Sequence, residues 1–188
     1  MPDNRRLVVT ENITANGVIE FTDDWFDPAG QGDLDDLLAV MQAQMATEEA
    51  LLLGRQTFED FRGYWPLQTD DPTGSTAHLN RVHKYVVSST MTDPAWSNST
   101  VLSGRLENDV AALKSRGGGG DLGVTGSISV VHALMRADLV DEYRLFVYPV
   151  LSSRGRNLVP GGLTLQGLTL TECVSFRSGV LLQVYARS

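Results

Sequence analysis

Three short segments carry side chains suited to holding a phosphorylated ligand: Gly54-Arg55-Gln56-Thr57, Ser88-Ser89-Thr90 and Thr125-Gly126-Ser127. Each follows a short apolar run. Glycine lets a ligand approach the backbone, small hydroxyls donate hydrogen bonds, and a helix N-terminus offers free N–H groups to phosphate oxygens. Arg55 sharpens the point. A cation at a helix start opposes the positive end of the helix dipole, at a cost of a few tenths of a kcal/mol up to about 1 unless an anion compensates. Its planar fork suits a terminal phosphate better than a lysine would. Each segment also has a structural explanation: Gly54 relieving crowding, Arg55 pairing with Glu59, Ser127 serving as an N-cap. Their recurrence at three strand ends favours a cofactor with more than one phosphate. The glycine run Gly117–Gly120 precedes a strand and does not follow one, so it reads as a helix stop and connector. No GxxxxGK[ST] loop occurs.

The elements that position these segments follow from periodicity and punctuation. Leu7 to Ile13 reads as a strand, with a turn at Ala15-Asn16-Gly17. The Gly-, Pro- and Asp-rich stretch from Phe21 to Asp33 reads as a loop. Asp33 is placed to cap a helix from Leu34, with Leu34, Leu37, Leu38, Met41 and Met45 on one face. Strands are expected at Leu51–Gly54, Lys84–Ser88, Thr100–Leu102, Leu122–Thr125 and Glu142–Val150, and helices at Gln56–Phe61 and Leu106–Lys114 and from Gly126-Ser127 onward. Tyr64 to Asn80 has turn chemistry throughout. Thr169–Phe176 and Val180–Ala186 form a terminal hairpin. Alternation of this kind implies an α/β fold: a mainly parallel sheet with helices on both faces, closed by an antiparallel hairpin. In open sheets of this class ligands bind at the carboxyl ends of the strands.

A chain of 188 residues is long enough for one sizeable core, and nothing marks a linker, so residues 1–188 are expected to form a single domain. The formal net charge of -8 disfavours attraction to nucleic acid. A single cysteine, Cys173, excludes an internal disulfide and any multi-cysteine metal site. The absence of a signal-like or spanning apolar run predicts a cytoplasmic protein without a membrane partner.

The segments LLLGRQTFEDFRGYWP, KYVVSSTMTDPAW and GSISVVHALMRADLVDEYRLFVYPVLSSRGRNLV resemble the dihydrofolate reductase-like superfamily, in the branch related to the reductase domain of the riboflavin-biosynthesis deaminase/reductase. The resemblance covers nearly the whole chain. It implies a three-layer sandwich with an eight- or nine-stranded sheet, a homodimer and NADPH as cofactor. Gly54, Arg55 and Thr57 then meet the ribose 2′-phosphate and the pyrophosphate. Ser88 and Ser89 lie along the adenosine half. Thr125, Gly126, Ser127 and Ile128 meet the pyrophosphate from the other side, and the loop with Ala15, Gly17 and Ile19 borders the nicotinamide. Hydride would pass to a small planar heterocycle of pyrimidine or pterin type. Counting back from Gly54 puts Leu38 where dihydrofolate reductases carry a carboxylate, with Asp36 the nearest acid. Asp36 is thus the one candidate proton donor, and folate is disfavoured as substrate. The alternative is a non-catalytic nucleotide or small-molecule binding module of the same fold.

Other candidates weigh less. His132 shares a helical stripe with Ile128 and Met135 and reads as a packed or interfacial residue. His78 and His83 lack ligand spacing and read as loop residues, with no metal implied. Cys173, in an alternating run, reads as core. Trp25, Phe26, Tyr64 and Trp65 lie in loops expected to overhang the site, and substrate stacking is the preferred role for Trp25.

Overall fold

A computed structural model describes residues 5–22, 25–26, 33–116 and 119–187. Along the chain run β1 (Leu7–Thr14), α1 (Asp35–Thr47), β2 (Glu48–Gly54), α2 (Arg55–Tyr64), α3 (Ser75–Arg81), β3 (His83–Val87), β4 (Ser99–Leu102) and α4 (Leu106–Ser115). β5 (Asp121–Thr125), α5 (Ile128–Arg136), β6 (Glu142–Tyr148), β7 (Leu168–Ser175) and β8 (Leu181–Arg187) complete it. The strands form one eight-stranded sheet in the order β4-β3-β2-β5-β1-β6-β8-β7. β6 and β8 pair antiparallel, as do β8 and β7, while the other neighbours are parallel. The expected mostly parallel sheet with a terminal hairpin is what forms, with eight strands.

Strict alternation along the buried strands divides the core into layers. Leu7, Val9 and Ile13 of β1, Leu52 of β2, Leu122 and Val124 of β5 and Tyr143 of β6 face α4 and α5 in one cluster. The opposite face holds two separate clusters. Leu37 of α1 packs with Phe146, Tyr148 and Leu182 in one. Phe58 of α2 and Leu79 of α3 pack on Leu51, Leu53 and Val86 in the other.

Several expectations are corrected. α3 lies inside the stretch read as turns. Gly74, in the left-handed region at φ 77°, precedes it, and the Asp71 carboxylate accepts the N–H groups of Thr73 and Thr76 at its start. His78 is therefore a helical residue, bonded at 2.8 Å to Glu48. α1 begins at Asp35, one residue late, because the Asp33 carboxylate accepts the Asp35 N–H and leaves Leu34 at the cap. Cys173 is exposed, since β7 is the outer edge strand and its alternation has little to pack against. Gly117, Gly118, and Asp23, Asp24 and Asp27 to Gly32 of the first loop lie outside the described residues. Among the described residues no helix is long and apolar enough to cross a membrane.

Candidate active site at the strand ends

The strands β3, β2, β5 and β1 are consecutive in the sheet and parallel, so their carboxyl ends form one row. Ser88 and Ser89, Gly54 to Thr57, Thr125 to Ile128 and Ala15 to Ile19 stand at those ends. At a strand spacing of about 4.8 Å the row crosses three gaps, roughly 14 Å. An elongated ligand fits such a row.

The two middle turns are fastened to each other. Gly54 N–H donates to Ser127 Oγ at 2.8 Å, in a buried position. Gly126 and Ser127 are both left-handed, at φ 58° each. That conformation is strained for serine and natural for glycine. A Cβ at Gly126 would lie 3.3 Å from Thr57 Cγ2, and one at Gly54 would lie 3.2 Å from Val130 Cγ2. Gly54 therefore does relieve crowding, and Ser127 holds a position the sequence alone did not reveal: its hydroxyl serves the start of α2, a different helix. Both α2 and α5 leave first-turn N–H groups without an intrahelical partner, as every helix does.

Arg55 is exposed, and Nη1 lies 2.8 Å from Glu59 Oε2. The i,i+4 pairing weighed from the sequence is the one present. A pair this exposed is worth about 0–1 kcal/mol, so a stronger anion can displace it. Ser88 is buried and its Oγ accepts the N–H groups of Thr90 and Met91, closing the turn after β3, while Ser89 is exposed.

The loop after β1 is stitched to the segment beyond β6. Ala15 N–H donates to the Val150 carbonyl and Ile19 N–H to that of Arg156, and Leu158 N–H donates to the Gly17 carbonyl. Ile19 is buried in the first cluster. Gly17, at φ 96°, lines a cavity of about 320 Å³ with Ile13, Asn16, Asn157, Leu158 and Val159. His132 bonds the Asn157 carbonyl at 2.9 Å beside it.

On the α1 face β5 and β1 lie between the strands that carry the two apolar clusters. Thr10 and Asn12 point to this face by alternation from Val9 and Ile13, and Thr125 does so from Val124. All three are only half buried, although β1 is a central strand. The sheet surface between the clusters is polar here. Thr10 registers with Thr125 on one side and Arg144 on the other.

Two expected participants are placed elsewhere. Asp36 ties α1 to the β7–β8 turn: its Oδ2 accepts the Arg177 N–H at 3.0 Å, and its Oδ1 accepts the Leu37 N–H. These bonds, with the Arg177 one the largest, hold its carboxyl below the usual range. A group so held favours its ionised form, which does not suit a proton donor. Trp25 is only 8% exposed and packs edge-on to Tyr148, with its indole N–H given to the Glu20 carbonyl. Its ring is a wall of the second cluster. Leu38 is half buried against the same cluster.

Sequence reasoning missed Glu11. This residue of β1 is 4% exposed, on the same face as Val9 and Ile13. Burial pushes its carboxyl well above the usual range, partly opposed by the neighbouring Gly126 N–H dipole. The phase of the alternation carried the signal, since an acid in step with Leu7, Val9 and Ile13 must face inward. Other charges gather at the opposite, amino end of the strands, where Arg6 and Arg144 bind Asp121 and Glu142. His83 bonds Thr100 Oγ1. Among the described residues no group of three or more His, Cys, Asp or Glu could hold a metal ion.

Comparison with known proteins agrees with the fold. The chain is 28% identical to the uncharacterized protein YyaP of Bacillus subtilis, covering 96% of this chain and 94% of that one. A solved structure from Shewanella sp. PV-4, which carries a provisional riboflavin biosynthesis name, superposes with a TM-score of 0.70 at 18% identity, covering 97% of this chain and 99% of that one. A pyrimidine reductase-like protein from Corynebacterium diphtheriae gives a TM-score of 0.66 at 14% identity, with coverage of 98% and 92%. At these identities the two structures show a shared fold. The profile of the RibD C-terminal domain matches residues 7–182, and the chain belongs to that family.

Proposed function

We propose that this protein is an NADPH-dependent reductase acting on a small planar heterocycle of pyrimidine or pterin type. The observation that carries the reading is the joining of the β2–α2 and β5–α5 turns by the Ser127–Gly54 hydrogen bond, which sets two helix N-termini and an exposed arginine side by side. The residues fit the cofactor. Gly126 leaves no Cβ over the turn, Thr57 closes one side, and the buried acid Glu11 of β1 is held towards its neutral form.

In this reading Arg55 exchanges Glu59 for the ribose 2′-phosphate, and Thr57 adds a hydroxyl. First-turn N–H groups of α2 and α5, with Thr125 to Ile128, take the pyrophosphate. Ser89 and the Ser88 turn line the adenosine half, and Ala15 to Ile19 border the nicotinamide. When bound, the cofactor supplies a hydride; the chain supplies position. Thr10 and Asn12, half buried on the α1 face of β1, orient the heterocycle by hydrogen bonds. Water delivers the proton, because Asp36 is ionised and turned to Arg177. The reading also carries a homodimer, supported by β7 as the outer strand of the sheet with exposed Leu168 and Leu170.

Titration tests the cofactor: NADPH should quench tryptophan fluorescence and raise the melting temperature. Loss of its near-ultraviolet absorbance with pterins, aminopyrimidines or quinone-like carbonyls then identifies turnover. A second reading, a binding module without turnover, is favoured by Leu38 at the place of the family's carboxylate. Binding without oxidation across that panel is its expected result, and turnover of any member removes it. Light scattering should return twice the chain mass if the dimer forms.

A further inference from the structure

Glu11 lies beneath the anion-binding turn on the side away from solvent. Thr10 registers with Thr125, which sets Glu11 beside Gly126; Gly126 precedes Ser127, and the Ser127 hydroxyl holds Gly54. One buried acid thus lies against the turn that Ser127 ties to the start of α2. Its Oε1 has no hydrogen-bond partner among the described residues. An ionised carboxylate buried with so few donors and no cation is far more costly than a neutral acid in the same place.

Among the described residues the surroundings offer no counter-ion. β5 and β2 bring Leu122, Val124, Ala50 and Leu52 to this face, and β6 brings Leu145 and the Tyr143 hydroxyl, itself without a partner and pushed up to about 12 by burial. α5 brings His132, engaged with Asn157, and α4 brings Lys114, engaged with Asp141. Across the turn stands Arg55 of α2, paired with Glu59.

We propose that Glu11 is a positioning residue for the pyrophosphate turn and acts as a neutral acid: protonated, it anchors Gly126 without placing negative charge beneath the phosphates, and ionised, it opposes their binding. The inference rests on the NADPH reading above. Linkage makes the effect reciprocal, so binding of the anionic cofactor draws a proton onto Glu11. Cofactor affinity therefore falls as pH rises through the ionisation of this group.

The experiment is calorimetric titration with NADPH from about pH 6.5 to 10, with wild type, Glu11→Gln, Glu11→Leu and a His132→Asn control. The 2′-phosphate completes its own ionisation near pH 6 to 7 and stays constant above about pH 8. Wild type and His132→Asn should weaken about tenfold or more across the range, a difference of about 1.4 kcal/mol per tenfold. Glu11→Gln should match wild type at the acid end and stay flat. Lys84, which titrates in the same range, is present in all four proteins. Glu11→Leu should bind weakly throughout, having lost the anchor. Proton uptake by wild type above pH 8, read from the dependence of binding enthalpy on buffer, provides a second measurement that needs no variant. Equal pH profiles for wild type and Glu11→Gln, a flat wild-type profile, or no proton uptake overturns the proposal and leaves the NADPH reading standing. Absence of NADPH binding to every protein at every pH overturns both.

Discussion

Ser127 Oγ accepts the Gly54 N–H at 2.8 Å across 73 residues of sequence. The bond joins the end of β2 to the start of α5 and leaves neither group to solvent. Ser127→Ala removes the acceptor, strands a buried N–H and keeps a left-handed residue with a Cβ. Loss of the bond should cost about 1–3 kcal/mol, read by urea unfolding, and NADPH affinity should fall with it. Ser127→Gly, which relaxes the backbone while losing the hydroxyl, should cost less stability than alanine.

Arg55 separates stability from binding. Its partner Glu59 is an exposed i,i+4 neighbour, so Arg55→Ala should change unfolding free energy by only a few tenths of a kcal/mol. Its effect on NADPH should be about tenfold to a hundredfold, the worth of one charged hydrogen bond. Affinity for NADH, which lacks the 2′-phosphate, should be nearly unchanged. Calorimetry with both dinucleotides makes the comparison.

Glu59→Gln runs the other way. Freed from its carboxylate, Arg55 should bind NADPH a few-fold more tightly, on the order of the exposed pair's few tenths of a kcal/mol. The gain should shrink as salt rises.

Asp36→Asn should leave turnover unchanged in any substrate the enzyme reduces, because the carboxylate serves the Arg177 turn. A pH–rate profile losing its alkaline limb in this variant would restore Asp36 as a proton donor.

Lys84 sets a pH dependence of stability. It has no exposed surface, donates to the carbonyls of Leu79 and Val82, and lies 4.5 Å from the Trp96 ring. Burial holds its pKa down at about 8, against 10.5 when unfolded. Between those values the unfolded chain keeps a proton the native one has released, so stability rises with pH through this window. Tyr143 and Tyr148, pushed up to about 12, act oppositely above pH 10. In a Glu11→Gln background, which removes the opposing titration of that buried acid, urea unfolding from about pH 7.5 to 9.5 should show the rise, at most about 1.4 kcal/mol per pH unit for one proton, and adding Lys84→Met should abolish it.

The sequence made the sheet legible because parallel strands buried on both faces read as apolar runs, and LLL, YVV and RLFV stand out between glycines and helical stripes. It also placed the strand-end turns, since glycine and hydroxyls following such runs have few other uses. α3 escaped because STAHLNR is short and buries only His78 and Leu79, too few to show a period. Cys173 was misread because alternation gives the facing of a residue and leaves open whether anything covers it, and β7 ends at the edge. Trp25 and Asp36 were misplaced for a related reason. Their partners Tyr148 and Arg177 lie more than a hundred positions away, and no local pattern announces them. The Glu11 signal was present in the phase of β1, but a single acid in an apolar run is easily taken for an outward-facing residue.

The central claim is that the joined turns after β2 and β5 hold a dinucleotide carrying a 2′-phosphate. Calorimetric titration of the intact protein with NADPH and then NADH tests it most directly. One NADPH per chain with a dissociation constant on the order of micromolar, and NADH about tenfold or more weaker, is the result expected. No heat and no rise in melting temperature at millimolar NADPH would contradict the account.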